Sequence, residues 1–427
     1  MNQKKALYKR IENYFDRLWP IPRSITGPGF IKSLDLLSEI VPFKRIEFHT
    51  GDKVLDWVIP KEWVPHRAYL IDPNGKKRAD FSKNNLHLVG YSVPFKGILS
   101  LTDLKNNINT LPDQPNAIPY ITSYYNEAWG FCMSFEEYNN LPEGDYEVVI
   151  ETELKKGKLT IGEVVLEGTS DKEILISSYL CHPSMANNEL SGPLVLSFLC
   201  EAITNLSSRK YTYRFIIVPE TIGSIAYLSL RGDDLKKKLI AGYQISCIGD
   251  NGPFTYKKSR EGDTLADRAA IQMMRDLKNE NVIPFNPAVG SDERQYCSPG
   301  FNLPVGSLMR TMYTKYPEYH TSLDNKKLMD FEGMEEAVET LTSIIHNIEM
   351  NVIWENKYPY GEPQLGKRGL FRSLSEKTRE DDEMAMWWLL NYADGTNDLF
   401  SIADRSGYPI TTLARVANKL NEAGIFD

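Results

Sequence analysis

The fold is decided by the stretch Glu173-Ile-Leu-Ile-Ser-Ser-Tyr-Leu-Cys-His-Pro-Ser-Met-Ala-Asn-Asn-Glu-Leu-Ser-Gly-Pro-Leu-Val-Leu-Ser-Phe-Leu-Cys-Glu-Ala202. Its apolar run from Ile174 to Leu180 predicts a buried strand, and apolar residues recur at helical spacing from Leu194 to Ala202. The polar loop between the two carries His182, Asn187, Asn188 and Glu189. Open α/β sheets place their sites beyond the carboxyl ends of strands, so this loop is either a candidate site or a capped helix start with an incidental histidine.

The same alternation of strand and helix continues from Lys158 to Met350. It predicts an α/β fold, with a mixed, mostly parallel sheet and helices on both faces. Two amphipathic helices between Lys4 and Ser38 are expected to belong to this layer. In the Pro/Gly loop that joins them, Arg23 either contacts an anionic group or bonds loop carbonyls. The predicted catalytic domain therefore combines residues 1–44 and 155–355.

Residues 45–154 follow a different pattern, in which short alternating runs are separated by turns such as Pro73-Asn-Gly75. This pattern predicts a mainly β domain inserted into the catalytic one. Its densest aromatic segment, Pro119 to Phe131, either belongs to the β core or lines a pocket.

The last part of the chain, residues 356–427, is predicted to be a Pro/Gly-rich linker followed by a winged-helix domain. The expected helices are 382–391, 399–406 and 410–423. From Asp381 to Asp427 there are eight acidic and three basic residues, so we expect this domain to recognise a protein partner or to support a homo-oligomer rather than to bind DNA.

Composition limits the functional classes. The formal net charge is −8 and the pI is near 5.5, which argues against general affinity for nucleic acid or an anionic membrane. No apolar stretch approaches the length of a membrane span, and no signal region precedes the first helix. The five cysteines are scattered and odd in number, which is typical of reduced thiols in a cytoplasmic protein.

Four predicted strands end in residues that suit a metal. These residues are His182 with Glu189, then Glu220, Asp250 and His320. Each has an ordinary structural explanation on its own. Because the carboxyl ends of parallel strands meet at one edge, the set predicts a zinc site with an open catalytic position.

The order of these motifs resembles the zinc aminopeptidase superfamily, which includes bacterial leucyl-type aminopeptidases and glutaminyl cyclases. More narrowly, the chain resembles an aminopeptidase-like family with an inserted β domain and a C-terminal winged helix. The phrases that carry the resemblance are Leu18-Trp-Pro-Ile-Pro-Arg-Ser-Ile-Thr-Gly27, Cys181-His-Pro-Ser-Met-Ala-Asn187, Pro219-Glu-Thr-Ile-Gly-Ser224 and Tyr319-His-Thr-Ser-Leu-Asp324.

The resemblance implies that His182, Asp250 and His320 are zinc ligands. It implies that Glu220 is the general base and that Asp324 orients the imidazole of His320.

Two positions depart from the pattern of the superfamily. Asn188 stands where a metal-bridging aspartate is expected, and Thr221 stands where a second glutamate is expected. We therefore expect one zinc ion with Glu189 as a substitute ligand, or else a degenerate site without catalysis.

The segment Gly290 to Tyr296 corresponds, by resemblance, to the substrate pocket. Asp292 or Glu293 would receive an amine, and Arg294 or Arg310 a carboxylate or oxyanion, unless the segment is a solvated turn.

The predicted function is a zinc-dependent amide hydrolase, named an aminopeptidase by resemblance and acting on a small peptide or amide. A deacylase of an amino sugar or other small amide is an alternative. A non-catalytic scaffold or regulator is the rival class.

Overall fold

Helices and strands alternate along the chain in a computed structural model that describes residues 6–370 and 380–427. The α-helices are α1 (Leu7–Leu18), α2 (Pro28–Ser38), α3 (Leu101–Lys105), α4 (Phe135–Asn139), α5 (Ser191–Thr204), α6 (Ile222–Lys238), α7 (Leu265–Asp276), α8 (Glu293–Tyr296), α9 (Phe331–Met350), α10 (Glu380–Tyr392), α11 (Leu399–Ser406) and α12 (Ile410–Glu422). Short 3₁₀ turns cover Asn85–His87, Lys326–Leu328 and Gly366–Arg368.

The strands extend over most of the predicted β runs. They are β1 (Lys44–His49), β2 (Lys53–Val54), β3 (Trp57–Val58), β4 (Glu62–Ile71), β5 (Lys77–Arg78), β6 (Phe95–Ser100), β7 (Ile108–Asn109), β8 (Phe131–Cys132), β9 (Asp145–Lys155), β10 (Lys158–Leu166), β11 (Glu173–Tyr179), β12 (Thr212–Val218), β13 (Leu239–Ile245), β14 (Thr255–Lys257), β15 (Val282–Ile283), β16 (Val305–Met309), β17 (Ile353–Glu355) and β18 (Asp394–Asp398).

The main sheet is mixed, in the order β1-β10-β12-β11-β13-β16-β14-β15. Its four central strands β12, β11, β13 and β16 are parallel, while β1, β10 and β14 pair antiparallel to their neighbours nearer the centre. The predicted α/β fold class is confirmed. The parallel centre brings the carboxyl ends of four strands to one edge.

The opening stretch lies at the centre of this sheet. Every residue of β11 is buried, as is nearly every residue of α5. A strand covered on both faces needs a continuous apolar run rather than an alternating one, and the run from Ile174 to Ile176 meets that need. The strand and helix therefore hold the segment between them rigidly.

The conformation of that segment differs from the predicted polar loop. Residues Ala186–Leu190 form a wholly buried π-helical turn that leads directly into α5. The Asp324 carboxylate accepts hydrogen bonds from the backbone N–H groups of Ala186, Asn187 and Asn188, at 3.2, 2.6 and 2.9 Å. These are N–H groups that the start of a helix leaves without partners, so a distant carboxylate turns the loop into a helical turn.

The inserted β region forms a second sheet in the order β5-β4-β9-β6. Its long strand β9 ends just before β10 of the main sheet begins, which explains how the chain returns to the α/β layer. The chain divides into two compact units, one of Met1–Ala266 with Asn281–Glu339 and one of Asp267–Glu280 with Thr340–Asp427. The three-domain boundaries predicted from the sequence stay a prediction.

The second unit contains α10, α11, α12 and the β17–β18 pair. Asp398 caps the start of α11 and also accepts two hydrogen bonds from Arg268, at 3.1 and 2.6 Å. Residues 371–379, which follow the predicted linker, lie outside the described residues, as do residues 4 and 5 of the predicted first helix. Among the described helices, none combines the length and the apolarity that crossing a bilayer would require.

Candidate functional site

Four residues in the loops around the predicted site have backbone φ angles in the left-handed region. They are Ser184, Thr221, Cys247 and His320, with φ between 46° and 63°. Such conformations cost free energy in residues other than glycine and cluster where the surrounding structure holds a site in place. Three of the four lie within two residues of a predicted site residue or are one.

His182 follows β11 and is buried. Its Nδ1 lies 2.7 Å from Glu189 Oε2 and 3.6 Å from Cys181 Sγ, while its Nε2 lies 3.5 Å from Glu220 Oε2. Burial by itself lowers the pKa of His182, but Cys181 and Glu189 outweigh it and raise that pKa well above its usual value. Glu189 therefore contacts Nδ1, the inner nitrogen of the ring, while Nε2, the outer nitrogen, is directed towards Glu220.

Glu189 itself is paired with a buried arginine from the N-terminal loop. Arg23 Nε lies 3.8 Å from Glu189 Oε1, and both side chains are fully buried. Arg23 Nη1 also donates to the carbonyl oxygen of Leu18 at 2.7 Å. A buried carboxylate is costly unless it is paired, so Arg23 stabilises the charge of Glu189 behind His182. From the sequence, Arg23 is expected either to contact an anionic group or to bond loop carbonyls. In the structure it contacts the Glu189 carboxylate and also bonds the carbonyl of Leu18.

Glu220 follows β12 and keeps 29% of its side chain exposed. Its Oε1 accepts a hydrogen bond from Ser291 Oγ at 2.6 Å. The next residue, Thr221, donates its backbone N–H to Asp292 Oδ1 at 2.7 Å. The loop that contains Ser291 and Asp292 thus holds both the carboxylate and the strained backbone of this turn.

Asp292 and Glu293 are fully buried. Burial, with the nearby Glu220 carboxylate, raises the pKa of Asp292 to about 8. Glu293 pairs with the buried Lys257, whose Nζ also donates to Val289 O at 2.6 Å. Both carboxylates therefore bond to the protein itself, and their predicted role as receivers of a substrate amine stays a prediction.

The two predicted anion-binding arginines also bond to the protein. Arg310 donates to the carbonyl oxygens of Gly252 and Gly333, at 2.7 and 2.8 Å, and pairs with Glu336. Arg294 donates from Nε to Ser291 O at 3.4 Å. Arg310 thus joins structural loops, and a role for either arginine in substrate binding stays a prediction.

His320 lies across from His182, with the two ring centroids 5.4 Å apart. The ring of Tyr319 stacks on that of His320 at 3.9 Å. Burial, with the charge of His182, lowers the pKa of His320 to about 3, so its imidazole is neutral at pH 7. A neutral imidazole of this kind has a lone pair available for a metal.

Asp250 is buried and its carboxylate is bonded on both oxygens. It accepts from Asn187 Nδ2 at 2.8 Å and from Thr311 Oγ1 at 2.8 Å. Asn188, at the position of the expected bridging aspartate, accepts from Tyr179 OH at 3.2 Å. The predicted ligand role of Asp250 stays a prediction, and these contacts leave it little free capacity.

The β region of residues 45–154 brings two tyrosines that the sequence did not assign to the site. The ring of Tyr120 lies 5.1 Å from that of His182 and 5.3 Å from that of His320. Its hydroxyl lies 3.1 Å from that of Tyr124. Burial raises the pKa of Tyr124 to about 12, with smaller effects from Cys181, His182 and Glu220. The aromatic density of this segment was the one available signal.

Two ligand atoms at this edge have the spacing expected around a single zinc ion. Two ligand atoms about 2.0–2.1 Å from a tetrahedral zinc lie about 3.4 Å apart, close to the 3.5 Å between His182 Nε2 and Glu220 Oε2. The neutral imidazole of His320 lies beside them. A second ion fits poorly, because Asn188 carries no charge and Thr221 replaces a carboxylate.

A second group of donors lies deeper. Ligand atoms of Cys181, His182 and Glu189 all lie within 4.8 Å of one another. Burial raises the pKa of Cys181 to about 11, so its thiol is protonated at pH 7. Arg23 lies beside this group and would repel a cation.

Comparisons with known proteins agree with this architecture. A profile of the family described as "Domain of unknown function (DUF4910)" matches residues 12–351, and one described as "winged helix-turn-helix" matches residues 352–427. A Clostridium acetobutylicum protein named "Putative polysaccharide biosynthesis protein with aminopeptidase-like domain" is 42% identical over 96% of this chain and 94% of its own length.

Solved structures show the same fold. A "putative peptidase" from Clostridium acetobutylicum has a TM-score of 0.92 at 41% identity, covering 98% of this chain and 96% of that one. A zinc aminopeptidase from Bacillus subtilis has a TM-score of 0.58 at 12% identity, covering 80% and 94%. The second likeness concerns the fold alone.

Proposed function

This chain belongs to the family described as "Domain of unknown function (DUF4910)", and we propose that it hydrolyses an amide bond at the edge where His182 and His320 meet. One observation carries the proposal. A partly exposed carboxylate, Glu220, lies 3.5 Å from the outer nitrogen of His182, with the neutral imidazole of His320 beside it. Imidazoles and a carboxylate around an open position suit metal-assisted hydrolysis.

His182 and His320 would hold zinc in this proposal. When bound, zinc polarises a carbonyl group and lowers the pKa of a water molecule. In this proposal Glu189 orients His182 rather than binding zinc, while the implied ligand role of Asp250 stays a prediction. Glu189 does so by accepting from Nδ1, which directs Nε2 towards the site, where zinc would take the place of the Nε2 proton.

Glu220 is proposed to accept the proton of the attacking water. The water oxygen forms a bond to the carbonyl carbon, the carbon–nitrogen bond breaks, and the nitrogen leaves with a proton returned from Glu220. Ser291 holds Glu220 Oε1 and leaves Oε2 directed at the site. The same 3.5 Å spacing also suits direct ligation by Glu220, so a test must measure metal content as well as turnover.

The substrate is proposed to be a small peptide or amide. The name of the Clostridium relative mentions polysaccharide biosynthesis, and this supports an N-acylated amino sugar as a second substrate class. A panel of aminoacyl anilides and N-acetylated amino sugars, assayed with and without metal removal, separates the two classes. Hydrolysis of neither class by the zinc-loaded protein would contradict the proposal.

A non-catalytic role is the second candidate, and one observation favours it. Asn188 replaces a charged ligand, and Tyr179 already bonds its side-chain oxygen. Near-stoichiometric zinc after purification without chelator favours the hydrolase. Absence of zinc that added metal does not restore favours the scaffold.

A further inference from the structure

The inserted β region contacts the loop that carries His320 through a short backbone pairing. Tyr120 N donates to His320 O at 2.9 Å, and Ser322 N donates to Ile118 O at 2.9 Å. Ile118 N also donates to Ser322 Oγ at 3.0 Å. The segment that carries Tyr120 is therefore fixed to the loop that carries His320.

This pairing fixes the segment that carries two hydroxyl groups, those of Tyr120 and Tyr124. Tyr120 OH and Tyr124 OH lie 3.1 Å apart, and the Tyr120 ring contacts the rings of both histidines. Tyr124 has a φ of 42°, a conformation that is unfavourable for a tyrosine. The structure holds this strained residue in place, which is typical of a functional position.

A pair of hydroxyls has one more proton than its mutual hydrogen bond uses. One proton lies between the two oxygens, and the second can be donated to a third group. During amide hydrolysis the carbonyl oxygen becomes negatively charged, and donors already in place stabilise that charge.

We infer that the Tyr120–Tyr124 pair donates a hydrogen bond to the carbonyl oxygen of the substrate as it becomes an oxyanion. This inference rests on the proposed function and gives the inserted domain a catalytic role. The loss of either hydroxyl breaks the pair, while a phenylalanine keeps the ring that packs on the histidines.

Tyr120→Phe, Tyr124→Phe and the double variant test the inference, with Tyr125→Phe as the matched control. Tyr125 is the neighbouring exposed tyrosine, and its hydroxyl donates to Val58 O instead. We expect kcat to fall by roughly 10²-fold or more in the double variant, with KM and zinc content little changed. The control should match the wild type.

A binding measurement gives a readout that does not need turnover. L-leucinephosphonic acid carries a tetrahedral anion, and calorimetry should show weaker binding to the double variant than to the wild type or the control. If the wild type binds the phosphonate but hydrolyses nothing, the proposed function fails while a weaker double variant still supports the tyrosine pair. Equal affinity and equal kcat in the double variant would overturn the inference, as would a wild type that neither binds nor hydrolyses.

Discussion

His182 Nδ1 lies 2.7 Å from Glu189 Oε2, and both side chains are buried. The carboxylate therefore holds a proton on Nδ1 and directs Nε2 towards Glu220, and a metal would bind Nε2 in place of its proton. The departures at Asn188 and Thr221 lead us to expect Glu189 as a substitute ligand, yet Glu189 contacts Nδ1 of the ring. Orientation of an imidazole by a carboxylate is the arrangement expected of metal-binding histidines.

The first prediction concerns the two histidines. His182→Ala and His320→Ala should each abolish stoichiometric zinc, because each removes one of the two imidazoles proposed to hold the metal. Metal content after dialysis, measured by mass spectrometry, checks this. His49→Ala, at an exposed histidine, is the control. Full zinc in both site variants would show that the site assignment is wrong.

The second prediction tests whether Glu220 acts as the general base or as a metal ligand. Glu220→Gln should keep zinc content and stability near wild type, while hydrolysis falls by roughly 10²- to 10⁴-fold, the usual contribution of general base catalysis. Glu153→Gln, at an exposed glutamate, should change neither. Loss of zinc in Glu220→Gln would make Glu220 a ligand, and unchanged turnover with zinc retained would exclude it from the chemistry.

The third prediction concerns the buried ion pair behind His182. Arg23→Met should lower the free energy of unfolding by roughly 3–5 kcal/mol, because it removes the buried cation beside Glu189 Oε1. Arg45→Ala, which removes an exposed pair with Asp35, should have a small effect. Chemical denaturation of both variants checks the difference. A small effect of Arg23→Met would mean that Glu189 is not charged in the folded protein.

The fourth prediction is a pH dependence in the second unit. Burial by itself raises the pKa of Asp398, but hydrogen bonds from Arg268, Asn351 and Ser401 outweigh it and lower that pKa to about 2. A lowered carboxyl pKa stabilises the fold above the usual value of 3.8, and this stabilisation is lost as the pH falls towards 2.

Asp398→Asn should therefore lower the free energy of unfolding at pH 7 by at most about 2 kcal/mol, allowing for solvent screening. The difference from wild type should shrink between about pH 4 and about pH 2, where the carboxylate takes up its proton. Denaturation curves at several pH values measure it. A difference that is constant with pH would show that the charge of Asp398 contributes nothing.

The fifth prediction is that the intact protein does not bind DNA in a salt-sensitive manner. In α12, Arg415 and Lys419 share one partner, Asp382, which offsets one of their two positive charges. Phosphate contacts supply most non-specific affinity, and this helix has few to offer. A fluorescence anisotropy titration at two salt concentrations checks this. Tight binding that weakens with salt would contradict the charge argument.

Local sequence determined much of the architecture. Continuous apolar runs predict β11 and α5, and strand-end positions predict His182 and Glu220, because periodicity and turn residues act over short distances. The α/β fold class followed from this alternation. Those features depend on neighbours in the chain, which a sequence displays directly.

Tertiary structure decided the rest. Asp324 caps the turn at Ala186 from a distant part of the chain. Arg23 reaches Glu189 from the N-terminal loop. Tyr120 reaches His182 and His320 from the inserted β region. Each contact joins segments far apart in sequence, so no local pattern specifies it. Whether a carboxylate caps, pairs or faces a ligand is determined only when packing has brought its partners within hydrogen-bond distance.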